Sequence, residues 1–130
     1  MDTNILIWAA ERRPIDERKT SISRDIVLGN IFGVSAQSIA EFVNASTRAK
    51  VELPVDQIER WIEFLSSMPF TVVDVDIVRR GLWLQQRYRI QYYDAALLAA
   101  AERLGAPIFY SEDLNNGQTY GSVRVVNPFL

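Results

Sequence analysis

Tyr92-Tyr93-Asp94-Ala95-Ala96-Leu97-Leu98-Ala99-Ala100-Ala101-Glu102-Arg103-Leu104 runs into Gly105-Ala106-Pro107 and then Ile108-Phe109-Tyr110. A helix over 92–104 is apolar nearly all round, so it must be buried between layers or at an interface. Gly105 followed by Pro107 stops it, and Ile108-Phe109-Tyr110 then reads as a short strand. Reading onward, Asn115-Asn116-Gly117 marks a loop and Val123-Arg124-Val125-Val126 a last strand. Reading back, Asp76 is predicted to cap a helix running to about Arg89, with Ile77, Leu82 and Leu84 as its apolar residues. Phe70-Thr71-Val72-Val73 reads as a strand. A helix over 55–66 follows Pro54 and buries Ile58, Trp61, Ile62 and Leu65. Residues 38–50 form the clearest amphipathic helix, with Ile39, Phe42, Val43 and Ser46 on one face at helical spacing. Ile31-Phe32-Gly33-Val34 is a strand candidate. Helices are predicted over 15–29, stopped by Gly29-Asn30, and over 3–11, ended by Pro14.

Short apolar strands therefore alternate with helices. That pattern implies parallel strands, right-handed crossovers and helices on both faces. The expected fold is a three-layer α/β/α arrangement with a central parallel sheet, as one domain over residues 1–130.

Composition removes several chemistries. There is no cysteine, so disulfides and thiolate metal sites are excluded, and no histidine, so Ser-His and Cys-His nucleophile systems are excluded. The lack of imidazole also weakens a zinc reading. Carboxylate-held Mg²⁺ or Mn²⁺ survives. The net charge of −2 argues against broad, non-specific nucleic-acid binding. All basic residues except Lys19 and Lys50 are arginines, which suit bidentate phosphate contacts. No apolar run approaches the length of a membrane span, and no basic leader precedes Asp2, so a cytoplasmic protein is expected.

Four acids sit where strands are predicted to end and helices to start: Asp2, Glu41, Asp94 and Asp113. Ligands gather at the carboxyl ends of strands in such folds. Converged carboxylates repel by about 4 kcal/mol per pair at 4 Å and an effective dielectric of 20, so a hard divalent cation is the expected companion. Each acid also has a plainer reading. Asp94, the only charge in 92–101, complements a helix dipole. Asp113, in Ser111-Glu112-Asp113, fits a turn. Glu41 lies off the Ile39/Phe42/Val43 stripe, and Ser38-Ile39-Ala40-Glu41 fits a capping box. Asp2 at a terminus reads as disordered. Trp61 and Trp83 read as core; Tyr92 and Tyr93 line either a groove or a subunit contact.

Taken in order, Asp2-Thr3-Asn4-Ile5-Leu6, Ser38-Ile39-Ala40-Glu41-Phe42, Asp94 through Ala101 and Ser111-Glu112-Asp113-Leu114 resemble the PIN-domain nucleases. The resemblance is greatest to the VapC-type toxin ribonucleases of prokaryotic toxin–antitoxin pairs, and the tail from Gly117 to Phe129 is similar to one branch of them. The resemblance implies a metal-binding quartet of Asp2, Glu41, Asp94 and Asp113. Asp2 and Asp94 would be direct ligands, Asp113 and Glu41 would complete the site, and Asn4 and Ser111 would be supporting polar residues. It further implies Mg²⁺ or Mn²⁺ as cofactor, an RNA substrate, a homodimer and a cognate antitoxin protein that occludes the groove. The family also places several apolar residues ahead of its first aspartate, as the central strand of the sheet; here only Met1 precedes Asp2. The expectation is that this first strand is truncated and that the natural chain starts further upstream.

The function expected is therefore metal-dependent cleavage of RNA phosphodiester bonds by a toxin, with a water activated by the ion as nucleophile. Two alternatives stand beside it. One is a receiver-like Mg²⁺-binding signalling domain, although the paired acids after the first strand and the late lysine of that class are absent. The other is a non-catalytic PIN-like scaffold.

Overall fold

A computed structural model describes residues 1–48 and 50–130. Along the chain run α1 (Thr3–Ala10), α2 (Glu17–Gly29), β1 (Val34–Ser35), α3 (Ala36–Ser46), α4 (Val55–Ser66), β2 (Phe70–Thr71), α5 (Val75–Tyr88), α6 (Tyr92–Arg103), β3 (Ile108–Tyr110), β4 (Thr119–Tyr120) and β5 (Val123–Val126). The α/β alternation follows the apolar patterning. Helix α6 is buried from Ala95 through Ala101, as its sequence requires. Gly105 takes a left-handed conformation (φ 71°) to end it. Helix α5 approaches α6 closely because Gly81 lacks a side chain: a Cβ there would lie 3.1 Å from the Tyr92 ring and 3.3 Å from Ala96 Cα.

Two apolar cores flank the strands. One joins α1–α4 through Ile5, Leu6, Val27, Phe42 and Leu65. The other joins α5, α6 and the last strands through Ile77, Leu84, Leu98, Val123 and Val125. Adjacent strand residues point to opposite faces. Accordingly Phe109 lies in the second core while Tyr110 packs against the first, so β3 divides the two as the middle of three layers.

The sheet differs from one continuous parallel sheet. Among the described residues it is in two pieces: β1 pairs with β2 in parallel, and β3 pairs with β5 in parallel. β4, a stretch given no element from sequence, pairs antiparallel with β5, turned back at Gly121 with φ 60°. Two predicted strands are shorter than their apolar runs. Ile31 is exposed rather than paired, and α3 begins directly after Ser35, which limits β1 to two residues. Two predicted caps are also displaced. Ser35, not Ser38, caps α3 by accepting from the Ser38 N–H, and Asp74, not Asp76, caps α5 by accepting from the Ile77 N–H. Trp61 packs in the core against Phe42 and Phe64. Trp83 does not: it is 49% exposed, with the Arg80 guanidinium 4.3 Å from its ring centroid.

Between β1 and β3 lies a cavity of about 490 Å³, with Met1, Val34, Leu97, Leu104 and Phe109 among its lining residues. No described residue forms a central strand there. One bond reaches across its end: the Asp2 N–H donates to the Tyr110 carbonyl at 2.8 Å.

Candidate functional site

That bond fixes the first member of the site. Asp2 is ordered, not frayed. It caps α1, its carboxylate accepting from the Asn4 N–H, and it is only 7% exposed. Its other carboxylate oxygen accepts from the Ser111 hydroxyl at 3.1 Å. Ser111 is fully buried, one residue beyond β3. Its hydroxyl oxygen accepts in turn from the Asp113 N–H (3.1 Å) and the Leu114 N–H (3.3 Å), which folds the loop back over the strand end. Asp113, at the tip of that loop, accepts from the Asn4 side-chain amide at 3.2 Å. Asn4 and Ser111 thus each hold a carboxylate of the cleft.

Glu41 comes from α3. Its carboxylate accepts from the Gln37 side chain at 2.9 Å and from the Thr3 hydroxyl at 3.4 Å. Gln37 also donates to the Tyr93 carbonyl at 3.0 Å. The side chain therefore faces α1 and the start of α6 rather than capping its own helix. Asp94 lies in the first turn of α6, half-buried. Four carboxylates from four segments far apart in sequence line one cleft of about 290 Å³, together with Asn4 and Arg48.

The electrostatics are those of crowded like charges. Burial pushes the Asp2 carboxyl up to about 7; the neighbouring Asp113 and the charge of Asp94 push in the same direction, against the Asn4 N–H. Asp94 is also held above the usual carboxylate range, first by burial, then by Asp113 and Glu41. Among the described residues no three acids are gathered closely enough to enclose a metal ion. Asp2, Asp113 and Glu41 are instead hydrogen-bonded to Ser111, Asn4, Thr3 and Gln37. The donor set nonetheless fits a hard divalent cation. It offers oxygen only, and one member is already desolvated beside charges that a cation would offset.

Gln37, Thr3 and Arg48, which bond a site carboxylate or line the cleft, were not singled out from sequence. Gln37 is one helical turn before Glu41, a spacing that places two side chains on one face. Thr3 stands between two residues that were chosen. Arg48 continues the face of α3 that carries Glu41. Glu112, between Ser111 and Asp113, turns away from the cleft, pairing with Lys19 at 2.6 Å and accepting from the Trp8 indole.

Among the described residues no helix is long and apolar enough to cross a membrane. No curated protein matches the chain. A family model described as PIN domain matches residues 1–119, a span that contains every cleft residue named above. PIN domains are generally metal-dependent nucleases. The family match displaces the receiver-like alternative, and by the extent of that match the chain belongs to the PIN-domain family.

Proposed function

We propose that the protein is a Mg²⁺- or Mn²⁺-dependent endoribonuclease that hydrolyses RNA phosphodiester bonds. The observation that carries the reading is the meeting of Asp2, Glu41, Asp94 and Asp113 in one cleft from four separate segments, with Asp2 desolvated among its neighbours. A cation held there supplies a water of lowered pKa and offsets charge on the phosphate and the leaving oxygen. The protein's own part is to hold the ligands. Asp2, fixed by Ser111 and the α1 cap, and Asp94, fixed by the first turn of α6, would be direct ligands. Asp113, steadied by Asn4, and Glu41, steadied by Gln37 and Thr3, would complete the set. No histidine is present to act as a general base, so proton removal falls to water and to these carboxylates.

The role proposed is that of the toxin in a toxin–antitoxin pair, supported by the sequence resemblance. A homodimer and a cognate antitoxin belong to the same proposal. Val75, Val78 and Leu82, exposed along one face of α5, offer an apolar stripe for a protein partner. The second reading, a non-catalytic scaffold, is favoured by one observation: the acids are not gathered around a point. Incubation of the purified protein with single-stranded RNA and Mn²⁺, with and without excess EDTA, separates the two. Cleavage abolished by EDTA supports the nuclease, and no cleavage at millimolar Mn²⁺ supports the scaffold.

A further inference from the structure

The cleft-facing side of α3 is Glu41, Asn44, Ala45 and Arg48, the i, i+3, i+4, i+7 series of one helix face carried just past its end. Arg48 is the only basic residue among those lining the cleft. Its main chain is pinned: its N–H donates to the Ala45 carbonyl, and its carbonyl accepts from the Val51 and Glu52 N–H groups at 3.1 and 2.7 Å. Its side chain is exposed and, among the described residues, makes no ion pair or hydrogen bond, although four carboxylates share its cleft. Arg12, Arg13, Arg18 and Arg89 are also exposed and without an ion pair among the described residues, but none of them lines the cleft. Three arginines elsewhere are committed. Arg80 grips Glu102, Arg103 grips Asp74, and Arg24 binds the carbonyls of Ala9 and Glu11.

A fixed backbone carrying an uncommitted guanidinium at the mouth of an acidic cleft suits an anion that comes from outside. The planar fork matches two oxygens of a phosphate. Seven residues along a helix amount to roughly 10 Å, so Arg48 stands about two turns from Glu41. Its backbone therefore stands further along the groove than that of Glu41, which favours a phosphate beside the one at the carboxylates. We propose that Arg48 is a substrate-binding residue that takes a backbone phosphate of single-stranded RNA flanking the one cleaved. This rests on the nuclease reading for the identity of the strand, though not for the binding itself.

The test uses the full chain. In the Asp94→Asn protein, chosen so that the RNA stays intact, adding Arg48→Ala is expected to weaken binding of a single-stranded RNA oligonucleotide about tenfold. It should also reduce the slope of log affinity against log salt by about 0.7, the loss of one phosphate contact on a single strand. Arg48→Lys should keep that slope, because the charge remains, while losing part of the affinity. With Asp94 intact, Arg48→Ala should raise KM, leave kcat within about twofold and leave the Mn²⁺-induced rise in Tm unchanged, as a contact outside the metal site requires. An unaltered affinity and salt slope in Arg48→Ala overturns the proposal. So does a loss of the Mn²⁺-induced rise, which would place Arg48 at the metal site. A wild-type protein that binds RNA through Arg48 and never cleaves it sinks the nuclease reading and leaves this contact standing.

Discussion

The Asp2 N–H donates to the Tyr110 carbonyl at 2.8 Å, and the next residue after Tyr110 places its hydroxyl 3.1 Å from the Asp2 carboxylate. Main chain and side chain of one residue are thus tied to consecutive residues at the end of β3. The N-terminus is ordered because of this pair of bonds, and the carboxylate is buried because of it. Burial raises its pKa, a penalty on the charged form that a bound cation would offset.

Asp94→Asn should abolish RNA cleavage while leaving the fold intact. The change removes a charge at nearly constant shape, and among the described residues the Asp94 side chain makes no hydrogen bond, its neighbours being the charges of Asp113 and Glu41. Loss of a direct ligand should lower turnover by about a hundredfold or more, since even supporting partners of metal ligands cost ten- to a hundredfold. Undiminished cleavage by this variant, with unchanged circular dichroism, would remove Asp94 from the site.

The metal-free protein should lose stability as pH rises from about 5 to 6. Asp2 has a folded pKa of about 7 against an ordinary 3.8, so the folded state binds the extra proton between those values. Its contribution is complete below pH 4 and is lost as pH rises through 7. Asp94, shifted in the same direction, adds to the slope. The Met1 amine acts oppositely: burial lowers it from 8.0 to about 6, so stability is regained between pH 6 and 8. Asp74, lowered first by its bond from Arg103, and Glu102, where burial raises the carboxyl but the bond from Arg80 and its charge bring it below its ordinary value, contribute mainly below pH 5. Thermal melts at pH 5, 6 and 8 in EDTA check this. A Tm that rises from pH 5 to 6 contradicts it.

Asp2→Asn should separate stability from binding. Without metal at pH 7 the variant should melt higher than the parent, because a buried charge among like charges is gone. With Mn²⁺ the parent should gain about 2.7 kcal/mol at a hundred times Kd, and the variant should gain much less. The parent's gain should fade toward pH 5, where protons compete for the ligand oxygens. A Tm shift of equal size in both proteins would place the ion elsewhere.

Much of this was legible in the chain. The buried α6 followed from Ala95 to Ala101 having no polar face, and the order of helices and strands followed from apolar period and stop signals. The placement of Asp2, Asp94 and Asp113 along one cleft agrees with their positions at element ends. Glu41 was harder. Its spacing showed that it was off the core stripe, which a solvated face and a cleft share equally; only the folding of Thr3 and Tyr93 against α3 distinguishes them. The caps at Ser35 and Asp74 were missed because each has a second plausible capper two or three residues on, Ser38 or Asp76, and backbone entry angle selects between them. β4 was illegible because two residues carry no period; its pairing with β5 is what makes it a strand. The only signal Arg48 carried was its helical spacing beside Glu41, which a solvated face shares.

An apolar segment of about five residues added ahead of Met1 should seat between β1 and β3. Such a segment spans roughly 17 Å. Both flanking strands lie at edges of their half-sheets, β1 beside β2 alone and β3 at the end of its three. The cavity between them, about 490 Å³, is lined by Val34, Leu97, Leu104 and Phe109, and the Asp2–Tyr110 bond already ties the residue after Met1 to the end of β3. Extension also converts the buried Met1 ammonium into an amide, removing a charge that burial disfavours. Two effects are therefore combined, and a Gly-Ser extension of equal length separates them. It removes the charge and supplies backbone, but it brings no side chains to fill the cavity. Both extensions should erase the gain in Tm between pH 6 and 8. Only the apolar one should raise Tm well beyond that and strengthen Mn²⁺ binding, because the same strand would hold Asp2. If the two extended proteins melt together and bind Mn²⁺ alike, the cavity is not a strand site, and Asp2 needs no more support than Tyr110 and Ser111 provide.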